Sequence, residues 1–205
     1  MLVRHRVYIT LPLVVVMLLS MRGEALETNP KLIGYHQKWV REALPDTDGP
    51  PLDPVPLSGE DIPDMQITPQ PQSKMGNNLQ YVRLGNTFSL QPQPAGFVEV
   101  GNASWYGRKF HGRQTASGEI FDMYVPMAAH PSLPIPCYAE ILSLKTGKKI
   151  IVKINDRGPF LVHRERIIDL SYGAALKLGI AYDGSTPVQL TLIQPALDPY
   201  NIVRT

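Results

Sequence analysis

The chain has 205 residues, 43% hydrophobic and 19% charged, with a formal net charge of +2. This near-neutral balance argues against a dedicated nucleic-acid binder, and no glycine-rich phosphate-binding motif is present. The single cysteine, Cys137, excludes an intramolecular disulfide and cysteine-rich zinc sites, so we expect neither a cofactor nor a metal.

Residues 1–25 have the composition of an export signal. Arg4 and Arg6 give a basic start, residues 7–19 are apolar, and residues 23–25 offer small side chains for cleavage. The apolar stretch spans about 20 Å as a helix, less than the ~30 Å of a bilayer core. Cleavage is therefore favoured over an uncleaved anchor, and both place the protein outside the cytoplasm. No cysteine stands directly after the signal, so no lipid anchor is expected.

Residues 26–44 are expected to contain a short amphipathic helix. Asn29 is a suitable cap, and Pro30 fits the first helical position. Apolar residues then recur at helical spacing: Leu32, Tyr35, Trp39 and Val40. The alternative is a marginal helix that forms only against a partner, because short isolated helices are weak in water.

Residues 45–96 are predicted to be a proline-rich, extended linker. Ten prolines lie between Pro45 and Pro94, too many for a helix or a central strand. The acidic residues from Glu42 to Asp64 have no basic neighbour in that range, which favours a solvated segment. A proline-rich recognition arm is the alternative.

Residues 97–195 are where a core can be built, and residues 196–205 are a tail. Five short apolar runs predict strands: 101–105, 138–144, 149–155, 166–170 and 188–193. Residues 145–148 include a glycine and predict a hairpin turn. One helix is expected between a Ser171 cap and Gly179. Short strands with a single helix favour a mainly β, small closed barrel.

Three carboxylates of this domain are candidates for chemistry. Glu119 and Asp122 lie in the glycine-containing stretch TASGEIFDM, and Asp156 directly follows a predicted strand. A rigid scaffold can aim a carboxylate at a strand end into a groove, and cleavage of a glycosidic bond needs a carboxylic acid. For Asp156, an ion pair with Arg157 or a structural role at the turn stays open.

Other polar residues have ordinary structural interpretations. His130 could be a core histidine, Asp169 could stabilise the following helix N-terminus, and Cys137 is expected to be a small buried hydrophobe. Trp105 and Tyr106 either stack on a sugar ring or belong to the core. The remaining candidates for metal binding, His111 and His163, are spaced too irregularly with His130 for a zinc pair.

The domain resembles the rare lipoprotein A family of bacterial envelope proteins in three ordered stretches: GNASWYGRKFHGRQTASGEIFDMYVPMAAHPSLPIPCY, VKINDRGPF and RIIDLSYGAALKLGI. The resemblance covers residues 101–193. It implies a six-stranded double-psi β-barrel with one short helix. It also implies an endolytic peptidoglycan lytic transglycosylase that cleaves the bond between N-acetylmuramic acid and N-acetylglucosamine and leaves 1,6-anhydro ends. The alternative is a non-catalytic, expansin-like module that binds and loosens the wall.

The resemblance also orders the candidate site residues. Asp156 becomes the general acid, with Glu119, Asp122 and His130 lining the groove. Trp105, Tyr106 and Arg157 are the candidates for substrate binding, and Arg157 is expected to point away from Asp156. The expected partners are glycan strands, with an envelope or division protein meeting residues 26–96, and the expected location is the periplasm or cell envelope.

Overall fold

The computed structural model describes three ranges of the chain: residues 48–51, 57–160 and 165–195. The predicted export signal, the predicted helix within residues 26–44 and the tail lie outside these ranges. Within them, no helix is long and apolar enough to span a bilayer.

Six strands close into a barrel, which confirms the predicted fold class. In barrel order they are β3 (Val98–Tyr106), β7 (Arg166–Ser171), β4 (Met127–Ala129), β6 (Lys149–Asp156), β5 (Cys137–Ser143) and β8 (Thr186–Gln194). The pairs β3–β7 and β4–β6 are parallel, and the other pairs are antiparallel. Parallel neighbours that are not consecutive in sequence require crossovers, which brings several loops to the ends of the barrel.

Alternation of apolar residues builds the barrel interior. Ile150, Val152 and Ile154 of β6 are buried, and so are the alternating residues of β8: Val188, Leu190 and Leu192. Strand β4 was not predicted, since a period of two cannot be read from three residues. It nevertheless joins β6 to β7 and lies at the centre of the site described below.

The one α-helix within the described ranges, α1 (Tyr172–Leu178), begins and ends where the sequence predicts. Ser171 Oγ accepts a hydrogen bond from the Ala174 N–H, and Gly179 ends the helix in the left-handed conformation at φ 72°. Ser171 Oγ also donates to the Val125 carbonyl at 2.6 Å. The capping residue therefore fixes the helix and the approach to β4 together.

Residues 57–96, which we name the strap, differ from an extended, solvated linker. The strap contains a 3₁₀ turn (Gly59–Asp61) and an antiparallel hairpin of β1 (Gln80–Arg83) and β2 (Asn86–Ser89). Ile62 is fully buried in the core, and the Met65 N–H donates to the Ile151 carbonyl of β6 at 3.0 Å. Proline excludes a helix here but not backbone bonding to a barrel, so a proline-rich and largely exposed segment still bonds to the domain. The domain boundaries stay predictions.

Candidate functional site

A β-bulge sets the direction of Asp156 at the end of β6. On β4, Ala128 pairs with Ile154 and Ala129 pairs with Asp156, which leaves Asn155 as the extra residue. Bulges break the alternation of a strand and re-aim the side chain that follows. Asp156 therefore lies on a rigid strand end rather than in a mobile turn.

The two oxygens of the Asp156 carboxyl have different surroundings. Oδ1 accepts hydrogen bonds from the backbone N–H groups of Ala116 and Arg157, both at 2.8 Å. Oδ2 receives no hydrogen bond from any residue that the structure describes. Burial raises the pKa of Asp156 above its ordinary value, although the two N–H groups and the Arg157 charge oppose the shift. The carboxyl can therefore hold a proton on Oδ2.

Arg157 points away from the carboxylate, as expected, and its guanidinium donates hydrogen bonds to other groups of the protein. Its Nε donates to the Gly76 carbonyl at 2.8 Å, and Nη2 donates to Asn77 Oδ1 at 3.0 Å. Its Nη1 donates to the carbonyls of His130 and Leu133 at 3.0 and 2.7 Å. These bonds join the strap to the loop after β4 and leave the guanidinium little capacity for a ligand. The substrate-binding role of Arg157 stays a prediction.

Glu119 lies in the same loop that bonds to Asp156. This loop, residues 114–120, closes with the Gln114–Ile120 bridge and supplies the Ala116 N–H to Asp156. The Glu119 carboxylate accepts hydrogen bonds from Lys153 Nζ and Asn155 Nδ2, both at 2.7 Å. Glu119 is thus held in an ion pair with Lys153.

His130 is a buried structural histidine with a defined tautomer. Its Nδ1 accepts from the backbone N–H groups of Ser132 and Leu133, at 3.2 and 3.1 Å. The proton must therefore be on Nε2, which donates to Glu99 Oε2 at 3.1 Å. The His130 N–H donates to the Asp156 carbonyl at 3.1 Å, so the histidine braces the strand end that carries the acid.

Asp122 is also buried, and its contacts organise the loop before β4. Its Oδ1 accepts from the Tyr124 N–H at 3.0 Å and lies 3.6 Å from Nδ1 of His111. With 7% of its surface exposed, it has little access to a glycan. Its place in the groove stays a prediction.

Trp105 and Tyr106 point to opposite sides of β3. Trp105 packs edge-on against Tyr172 at 5.3 Å and lines a cavity of about 310 Å³. The Tyr106 ring is buried and stacks on Phe121 at 4.2 Å, so it cannot also stack on a sugar. Of the two, only Trp105 retains a partly exposed ring.

Sequence reasoning missed the contacts of Asp169 on β7. Ser104 Oγ donates to Asp169 Oδ1 at 2.6 Å, and Arg166 Nη2 reaches both carboxylate oxygens, at 2.8 and 2.7 Å. The structure thus pairs Asp169 with β3 and with its own strand, whereas the sequence predicted a role at the helix N-terminus. The sequence signal for this ion pair was the spacing of three residues between Arg166 and Asp169. On a strand, that spacing does not by itself indicate a contact.

Metal ligands and thiol chemistry find little support in the described ranges. No group of three or more His, Cys, Asp or Glu residues is placed there to hold a metal ion, and His163 lies outside them. Cys137 is buried, as predicted, and burial raises its pKa to about 12. Its thiol is consequently unreactive near neutral pH.

Comparisons with known proteins agree with the barrel. Residues 98–190 match a double-psi β-barrel family model described as "Lytic transglycolase". The chain is 47% identical over 139 residues to the endolytic peptidoglycan transglycosylase RlpA of Vibrio cholerae serotype O1, covering 68% of this chain and 52% of that protein. It is 44% identical over 151 residues to the protein of the same name from Pseudomonas aeruginosa strain UCBPP-PA14, covering 74% and 42%.

The chain spans about half the length of these curated relatives. Among solved structures, an expansin of Clavibacter michiganensis is similar at 16% identity and a TM-score of 0.38, covering 50% of this chain and 54% of that one. That likeness is too distant to carry an argument about activity.

Proposed function

Because residues 98–190 of this chain belong to the lytic transglycolase family of RlpA-type double-psi β-barrels, we propose that the protein is an endolytic peptidoglycan lytic transglycosylase. Its substrate is the glycan strand, at the bond between N-acetylmuramic acid and N-acetylglucosamine. The names of the relatives support this substrate and an envelope location, which we take to be periplasmic.

In the first step, Asp156 acts as a general acid. A proton on Oδ2 passes to the glycosidic oxygen as its bond to C1 of the muramyl residue breaks, and positive charge develops on that sugar ring. The resulting carboxylate is stabilised on Oδ1 by the N–H groups of Ala116 and Arg157. The acid is thereby prepared to release its proton without a neighbouring ion pair.

In the second step, the same carboxylate acts as a base. It takes the proton from the muramyl 6-hydroxyl, whose oxygen attacks C1 and closes the 1,6-anhydro ring. No water is consumed and Asp156 regains its proton, so a water-activating carboxylate is not required. Hydrolases, in contrast, need a second carboxylate to activate water or to form a covalent intermediate.

Of the other candidate residues, two contact the substrate in this proposal, and three position the loops around the groove. Glu119, partly exposed in the loop that bonds to Asp156 and paired with Lys153, contacts the substrate in this proposal, and Trp105 offers a ring face to a sugar. Arg157, His130 and Asp122 act as positioning residues, because their polar groups bond to loops of the protein.

The observation that carries the proposal is the asymmetric carboxyl of Asp156, anchored through one oxygen and open at the other. The test is to incubate the purified protein with peptide-free glycan strands and to analyse the products by mass spectrometry. We expect anhydro ends from the wild type and none from Asp156→Asn. The control is Glu140→Gln, which removes a charge from a surface ion pair with Lys149 and should leave the product unchanged.

Two other results would replace the proposal. Reducing ends with added water would indicate a hydrolase, with Glu119 as the second carboxylate. Binding to peptidoglycan without new chain ends would indicate the wall-loosening module.

A further inference from the structure

We propose that Asp169 is a second carboxylate of the site, which holds a fixed negative charge across from Asp156 and stabilises the positive charge that develops on the sugar ring. This inference rests on the proposed function and adds to it a residue that sequence reasoning assigned elsewhere. The assignment follows from strand register, hydrogen bonding and one buried hydroxyl.

Strand register places the two carboxylates in one row. Ala129 of β4 pairs with Asp156 on β6 on one side and with Asp169 on β7 on the other. Directly paired residues of neighbouring strands point to the same face of a sheet. Two strand spacings separate their backbones by about 10 Å.

The surface between the two carboxylates is lined by small residues. Ala129 has only a methyl group, and Gly158 follows Asp156 by two positions. A Cβ built on Gly158 would lie 3.7 Å from Asp169 Oδ2 and 3.7 Å from the Ala129 Cβ. The loop that leaves Asp156 therefore lies near the side chains of Ala129 and Asp169, so the two acids lie at the same end of the barrel.

Hydrogen bonding distinguishes the two acids. Asp169 receives one hydrogen bond from Ser104 and two from Arg166, so both oxygens are bonded to donors and the charged form is favoured. Asp156 has donors on Oδ1 alone. Burial raises the pKa of both carboxyls, and for both of them the donors and a nearby arginine charge act against that rise, so the difference lies in which oxygens are bonded. A pair of acids with distinct surroundings is the usual way to separate a proton donor from a charge stabiliser.

The buried phenol of Tyr106 lies near both acids. It lies two residues after Ser104 on β3 and so faces the same side as the Ser104–Asp169 hydrogen bond. Its hydroxyl is buried and finds no hydrogen-bond partner among the described residues. Burial raises the pKa of Tyr106 well above its ordinary value, and the charges of Asp156 and Asp169 both raise it further. A protonated phenol thus lies within electrostatic range of both carboxylates.

The proposal predicts a bell-shaped dependence of kcat on pH, with Asp169 ionised and Asp156 protonated in the active form. The titratable and charged groups that face Asp169 are Arg166 of its own strand, Tyr106 from β3, Asp48 of the segment before the strap, and Asp156 beyond Ala129. Of the hydrogen bonds to Asp169, the one from Ser104 can be removed without removing a charge.

The test combines two variants with the anhydro-product assay. Asp169→Asn should lower kcat by about 100-fold, the usual effect of removing one preorganised charge-stabilising group, with KM little changed and the product still anhydro. Glu140→Gln is the matched control, since it also neutralises an ion-paired carboxylate, and should retain the wild-type kcat. Ser104→Ala should move the acidic limb of the kcat profile upward by about one pH unit, because a hydrogen bond to the charged form is lost.

The outcomes separate this inference from the proposed function. A wild type that makes no anhydro product overturns the proposed function itself. An active wild type with Asp169→Asn at the same kcat overturns only the role of Asp169. If Asp169→Asn does not fold by circular dichroism, Ser104→Ala decides, and an unmoved acidic limb overturns the inference.

Discussion

At the residue scale, the fold gives two adjacent residues of the site, Asp156 and Arg157, different hydrogen-bond partners. Asp156 and Arg157 are adjacent in sequence, yet the carboxylate accepts backbone N–H groups while the guanidinium binds the strap and the loop after β4. The separation matters because a paired guanidinium would stabilise the charged form of Asp156 and oppose proton donation. The fold thus avoids the local ion pair that the sequence left open.

Tyr106→Phe should make the protein more stable. A buried hydroxyl without a partner costs roughly 1 to 3 kcal/mol, and phenylalanine keeps the stacking on Phe121. We expect the free energy of unfolding to rise by about 1 kcal/mol in urea titrations with the slope unchanged. Phe121→Leu is the contrasting variant, since it removes the stacked ring and should destabilise. A loss of stability in Tyr106→Phe would mean that the hydroxyl is hydrogen-bonded.

Sequence reasoning named Asp156 and Glu119 but did not find the partners of Asp169, and the reason is physical. A carboxylate at a strand end before a glycine is visible as a pattern. The partners of Asp169 are Ser104, far away in sequence, and Arg166, three residues earlier, and only the parallel pairing of β3 with β7 brings Ser104 to it. Such long-range pairings leave no local signal in a single sequence.

At the scale of elements, the boundaries that could be predicted are those set by hydrogen bonds between residues close in sequence. The helix was predictable because Ser171 and Gly179 satisfy backbone groups within a few residues of themselves. The strap was not, because its order comes from bonds to other elements: Ser73 N–H to the Ile135 carbonyl, and Asp64 Oδ1 accepting from the Ile151 N–H. Proline patterns predict local conformation but not where a segment docks.

Asn77 is the side chain that fastens the strap, and its loss should be costly. Its Oδ1 accepts from the Ile135 N–H and from Arg157, and its Nδ2 donates to the carbonyls of Ser73 and Ile135. Asn77→Ala should therefore lower the free energy of unfolding by about 2 to 3 kcal/mol, since several part-buried groups lose partners.

The neighbouring Asn78 provides the control for this prediction. It is exposed, so Asn78→Ala should change the free energy of unfolding by less than about 0.5 kcal/mol in the same denaturant titration. Equal effects of the two substitutions would show that the strap does not depend on the Asn77 network.

At the scale of the whole molecule, the strap and the barrel share a core. Leu57 and Ile62 are buried in the same cluster as residues of β6 and α1. A fragment restricted to residues 97–195, the predicted barrel domain, should therefore be less stable than residues 57–195 by several kcal/mol, since two buried aliphatic side chains and the Asn77 network are removed. Thermal unfolding of both fragments tests this, and equal midpoints would contradict it.

The stability of the whole protein should also depend on pH because Asp156 is buried. Since burial raises the pKa of Asp156 in the folded state above its unfolded value, the folded protein binds the proton more tightly. The stability contributed by this group is present below the unfolded pKa and is lost as pH rises through the folded pKa. At neutral pH the ionised carboxylate is therefore a burden that Asp156→Asn relieves.

We expect Asp156→Asn to unfold at a higher temperature than the wild type at pH 7, with the difference shrinking as the pH is lowered toward 4. The asparagine keeps Oδ1 for the N–H groups of Ala116 and Arg157, so no acceptor is lost. Asp183→Asn is the control, because it removes an exposed ion pair with Lys145 and should not gain stability in this way. A wild type more stable than Asp156→Asn at pH 7 would mean that Asp156 stabilises the fold as an ordinary charged turn residue, and the argument for a proton on Oδ2 would fail with it.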